Sequence, residues 1–158
     1  MFGNLGVAGC GGVIRDDCGQ WISGFTKCIE ITNNFIAELC GLREGLIMCC
    51  DLNISSLIVE LDARVVVDAF SNTQYVNNVI SPILDDCSLL SSLFSQIQFK
   101  HCYRKGNRVA NILAKMSFSQ EADCISFVSQ LVDVLNAFKD DCNGVYLNRL
   151  CPAPFVIS

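Results

Sequence analysis

Ser56-Leu57-Ile58-Val59-Glu60-Leu61-Asp62 is short, aliphatic and β-branched, and it comes after a segment with helical periodicity. That combination predicts an interior strand of an α/β sheet, because parallel strands covered on both faces read as nearly continuous apolar runs. The run ends in a carboxylate. Ligand sites in open α/β sheets gather beyond the carboxyl ends of strands, which gives Asp62 a site-like position. The same residue could simply cap a helix over 63–70.

Upstream, Phe35, Leu39, Leu42 and Leu46 recur at helical spacing and predict one amphipathic helix over 35–50, with Asn33 or Asn34 as its N-cap. At 100° per residue Glu38 falls on the border of the apolar stripe and Glu44 on the opposite, solvated face. Further upstream, an apolar run at 13–15, the turn Asp16-Asp17-Cys18-Gly19 and a β-prone run over 21–28 read as a hairpin. The glycines at 3, 6, 9, 11 and 12 lack a following Gly-Lys-Ser/Thr and lead into a strand, so they read as turn and bulge residues and not as a phosphate cradle.

Downstream, the pattern gives a polar loop over 71–78, a helix over 82–94, a strand over 97–103 and a helix over 107–118. An amphipathic helix over 125–138 and an extended, Pro-containing tail follow. No acidic residue lies between Asp86 and Glu121, whereas Lys100, Arg104, Lys105, Arg108 and Lys115 supply five of the eleven basic residues. This is the one local basic patch, on a chain whose net charge is −5. Nucleic-acid contact must therefore be local, since the overall charge repels phosphate.

At 158 residues with 51% hydrophobic and 17% charged, the chain is a core-forming domain and not a disordered one. No apolar run reaches the roughly 18 residues of a membrane helix, no leader is legible at the N-terminus, and no membrane association is expected. Eleven cysteines at irregular spacing, several inside apolar periodic segments, read as reduced thiols. That reading implies an intracellular location, nucleus or cytoplasm. Without any C-x-x-C pair and with His101 as the single histidine, a structural zinc site is not expected.

The order hairpin, helix, strand ending in Asp, two helices, strand, helix resembles ribonuclease H, in particular the plant ribonuclease H-like domain related to non-LTR retroelement reverse transcriptases. The resemblance rests on GNLGVAGCGGVIRD (3–16), AELCGLREGL (37–46), IVELDA (58–63) and HCYRKGNRVANILAK (101–115). It implies an α/β fold, a mixed sheet flanked by helices. It also implies a ribonuclease H-like domain over 1–118 with the helix and tail of 119–158 packed on it. In the family, four carboxylates hold two magnesium ions that cleave the RNA strand of an RNA:DNA hybrid. By resemblance Glu38 and Asp62 are two of these metal-binding, catalytic carboxylates, and Asn34 is a substrate-backbone contact. Lys100, Arg104, Lys105 and Arg108 would meet the hybrid's phosphates.

Two departures shape the expected activity. The fourth carboxylate falls at Asn111, and the first lies on an opening strand that precedes Met1, so the first strand is read as truncated. Two dications about 4 Å apart repel by about 4 kcal/mol even at a water-like dielectric and about 16 at an effective value of 20. Glu38 and Asp62 cannot offset that as four anions could. The expectation is weak magnesium binding or none, inactive or very slow hybrid cleavage, and weak contact with a hybrid or another nucleic acid. An active hybrid ribonuclease, or a protein-interaction module using the C-terminal helix, are the rival readings. Without the opening strand the sheet would be left with unpaired backbone, so either the residues before Gly6 or the tail take its place, or the chain is a fragment. Sequence sets no oligomeric state.

Overall fold

The structure is a computed structural model, and it describes residues 6–32, 34–71, 82–102, 108–117, 124–127 and 155–157. The expected hairpin is formed by β1 (Gly6–Asp16) and β2 (Trp21–Thr32), antiparallel from Gly6↔Thr32 to Arg15↔Trp21. Its turn is built by one side chain and one glycine. Asp16 Oδ1 accepts the backbone N–H groups of Cys18 at 2.9 Å and Gln20 at 2.8 Å, and Gly19 takes a φ of 80° that other residues rarely adopt.

α1 (Asn34–Asp51) buries Leu39, Leu42 and Leu46, with Phe35 packed against the same core. Each buried leucine stabilises by about 1.5–3 kcal/mol. The helix ends where Asn53 adopts a left-handed φ of 57° and the N–H of Ile54 turns back to the Cys49 carbonyl, a C-terminal cap. Glu44 differs from its solvated expectation. It is half-buried and ion-paired with Lys27 of β2, because α1 lies across the hairpin as well as on the sheet centre.

β3 (Ser56–Leu61) is the expected interior strand, buried from Leu57 to Leu61. It is followed by α2 (Arg64–Ser71), α3 (Pro82–Ser91), β4 (Gln96–His101) and α4 (Arg108–Met116). Leu57, Val59 and Leu61 share one core with Leu39, Leu42 and Leu46, with Val66 and Val67 of α2 and with Cys87 of α3. Phe70 of α2 stacks on Phe99 of β4 with ring centroids 4.6 Å apart. On the other face Val13 of β1 packs under Val109 and Leu113 of α4.

That second face corrects the reading of two glycines. A Cβ at Gly11 would lie 2.6 Å from both Leu113 Cβ and Ala114 N, and one at Gly9 would overlap Ser117. These residues are the bed on which α4 rests, not turn residues, although one register shift does fall between Gly6 and Ala8.

The C-terminal region supplies two strands. β5 (Cys124–Phe127) pairs antiparallel with β2, so the helix expected over 125–138 does not begin at 125; residues 128–138 lie outside the described residues. The strand wins because β2 offers an open edge, and Ile125 and Phe127 alternate as half-buried residues with exposed Cys124 and Ser126. β6 (Phe155–Ile157) lies between β3 and β1, parallel to the first and antiparallel to the second, in the six-strand order β4-β3-β6-β1-β2-β5. A segment of the tail therefore lies in a central place of the sheet, and the fold is a mixed sheet flanked by helices.

Candidate functional site

The parallel register of β3 and β4 brings candidate residues to one end of the sheet. Glu60 pairs with Lys100 and Leu61 with His101, and the N–H of Cys102 donates to the Leu61 carbonyl at 2.9 Å. Asp62, half-buried, is the next residue after that last pairing. The Ala63 carbonyl accepts from Val66 and Val67, so α2 opens after Asp62 and the carboxylate stands just before the helix.

Glu38 is half-buried in the first turns of α1, one position before Leu39, as Asp62 is one position after Leu61. Leu39 and Leu61 belong to the same core cluster, and α1 touches α2. The two carboxylates thus sit on elements that share one core. Lys100 is half-buried at the end of β4, and Arg108 is the exposed first residue of α4. Asn34 and Asn111 lie on α1 and α4, their side chains outside the described residues, as are Arg104 and Lys105 altogether.

Sequence reading missed two neighbours of this end. Arg64 is exposed at the first position of α2, two residues beyond Asp62, and His101, weighed only as a zinc ligand, is the register partner of Leu61. The signal for both was present in the strand order, once β3 and β4 are taken as a parallel pair.

Directly behind the site, Arg15 of β1 donates from Nη2 to Glu60 Oε2 at 3.2 Å, both residues buried. The only group of three or more ligating side chains among the described residues is Asp16, Asp17 and Cys18 in the hairpin turn. There Asp16 already serves the turn's backbone. Three buried thiols among the described residues are not poised for metal or nucleophilic work. Burial pushes Cys10, Cys49 and Cys87 up to about 12, far from the thiolate that such chemistry requires.

Residues 3–117 match the reverse transcriptase-like family. The chain belongs to this family. Among curated proteins this reverse transcriptase-like chain is 30% identical over 125 residues to a "putative ribonuclease H protein" of Arabidopsis thaliana, a match over 79% of this chain. It spans about one fifth of the length of that relative. Among solved structures it is similar to the N-terminal RNase H domain of a Mycobacterium tuberculosis protein, determined as a fusion with maltose-binding protein. That match has 28% identity and a TM-score of 0.66, over 73% of this chain and 84% of the other. RNase H1 of Halobacterium salinarum gives the same TM-score at 22% identity, over 75% and 90%, and bears on the fold alone. The reverse transcriptase-like chain is a ribonuclease H-like domain, as its motifs implied. Among its described residues no helix is long and apolar enough to cross a membrane.

Proposed function

We propose that this domain engages RNA:DNA hybrid or related nucleic acid across the carboxyl end of β3 and β4, and that its hybrid cleavage is absent or very slow. The observation carrying this reading is the register that sets Asp62 immediately beyond Leu61↔His101, with Lys100 one pairing behind. A carboxylate and cations at one sheet end are what a phosphodiester-handling site needs. Glu38 and Asp62 suit a single hydrated magnesium, since that ion keeps several waters and takes one or two carboxylates. When bound, the ion would supply charge neutralisation at a phosphate. Asn111 brings no negative charge to the set. An intracellular site of action, nucleus or cytoplasm, fits the nine described cysteines being free thiols.

Incubation of the purified chain with a labelled hybrid and magnesium tests the activity. Little or no product is expected; robust turnover that disappears in Asp62→Asn would show that two carboxylates suffice.

Binding is read separately from cleavage. With a net charge of −5 repelling at long range and Lys100, Arg104, Lys105 and Arg108 acting at contact, affinity should be weak and steeply salt-dependent. Engagement of three or four phosphates gives a log–log slope near about −3 on a duplex, and Arg104→Ala with Lys105→Ala should flatten it by about 2. An affinity that the double substitution leaves unchanged, or no binding at low salt, removes the nucleic-acid reading and favours a protein-interaction role.

A further inference from the structure

β6 is a central strand held by few partners. It pairs at three positions with β1 (Ile14↔Ile157, Arg15↔Val156, Asp16↔Phe155) and at two with β3 (Ile58↔Val156, Val59↔Ile157). Its neighbours are longer, with 11 residues in β1 and 6 in β3. The walls of this slot are joined without it. On the α4 side the buried Arg15–Glu60 pair runs directly from β1 to β3, and on the other side Ile14 shares a core with Leu57, Val59, Leu61 and the leucines of α1. These contacts tie the two walls of the slot to each other across the resident strand. The slot's two inner edges present backbone donors and acceptors that only a strand parallel to β3 and antiparallel to β1 can satisfy.

We infer that the slot between β1 and β3 is a strand-acceptor site, and that it takes Phe155–Ile157 of a second copy of this chain in place of its own, producing a strand-exchanged dimer. A second copy satisfies both edges in the same register as the resident strand, so no new contact has to be invented. The tether allows it. Residues 128–154 separate β5 from β6; 27 residues reach at most about 90 Å when extended. That exceeds the roughly 24 Å across a six-stranded sheet. The tether also favours the resident strand in dilute solution, because it presents that strand at an effective concentration on the order of millimolar. Exchange belongs to concentrations approaching that value and to chains that refold together.

The full chain, refolded under reducing conditions at about ten micromolar and at about one millimolar and then sized by light scattering, should give monomer from the first and at least about a tenfold larger dimer fraction from the second. Val156→Pro removes the N–H at one of the two positions paired on both sides, so that chain cannot donate a strand and should form no dimer at either concentration. A synthetic peptide of residues 150–158 in excess should restore the native circular dichroism of V156P if the variant is unfolded, or bind it saturably if it folds; the same peptide carrying V156P should do neither. Wild-type chain that is monomeric after both refoldings overturns the inference. So does a V156P dimer as abundant as the wild type's, or a wild-type peptide without effect on V156P.

Discussion

Arg15 and Glu60 form a charged pair inside the sheet where hydrophobic residues would be the default. Removing one partner leaves the other charge buried, whereas replacing both by apolar groups of similar size removes the desolvation cost along with the attraction. Arg15→Met alone should therefore cost about 3–5 kcal/mol, and the double variant Arg15→Met with Glu60→Leu should recover most of it. Urea titrations of the wild type, both single variants and the double variant measure this. If the double variant is as unstable as the sum of the singles, the two side chains do not act as a pair. Nothing in the sequence announced the partnership, because the residues are 45 apart and Arg15 reads locally as the polar end of a hairpin strand.

At the scale of elements, legibility followed local information. α1 was readable because Leu39, Leu42 and Leu46 repeat at a period that only a helix satisfies, and the turn at Asp16 to Gly19 because Asp and Gly carry specific backbone preferences. The place of Asp62 just beyond β3 was readable from the end of an apolar run. The candidate cations at Arg104 and Lys105 were readable only as composition. β5 was misread because Phe127, Leu131, Leu135 and Phe138 fit a helical stripe while Ile125 and Phe127 fit a strand, and the choice is made by β2, about a hundred residues away. β6 is three residues long, too short for any period, so its place depends wholly on the edges of β1 and β3. The docking of β5 can be probed directly. Trp21 Nε1 and Ser23 Oγ both donate to the Phe127 carbonyl at 3.3 Å, so Trp21→Phe keeps an aromatic ring and loses a hydrogen bond worth about 1 kcal/mol. Amide exchange over 124–127 should then quicken by roughly fivefold while that of β3 is unchanged. Equal acceleration in both strands would mean that Trp21 acts on the whole sheet and not on β5.

The molecule as a whole carries an alkaline weakness set by its thiols. Burial raises Cys10, Cys49 and Cys87 from an ordinary 9.0 to about 12, with Cys40 adding to the effect at Cys10. These groups stay protonated in the folded chain while the same thiols in the unfolded chain ionise above pH 9, so the unfolded state binds fewer protons and stability falls as pH rises. The contribution is fully present below pH 9 and is lost progressively toward pH 12, by at most about 1.4 kcal/mol per pH unit for each thiol. Three thiols together approach about 4 kcal/mol per unit, against a total stability of about 5–15 kcal/mol for a domain of ordinary stability. Urea midpoints under reducing conditions should accordingly be level from pH 7 to 8 and drop steeply between pH 9 and 10. Lysines and tyrosines also titrate in that range, so the decisive comparison is internal. Cys49→Ala should be less stable than wild type at pH 7, because it leaves a small void, yet lose less between pH 8 and 10, by about 1.4 kcal/mol over the whole interval. Parallel pH curves for the two chains would show that Cys49 ionises alike in both states, and would place the alkaline sensitivity elsewhere in the molecule.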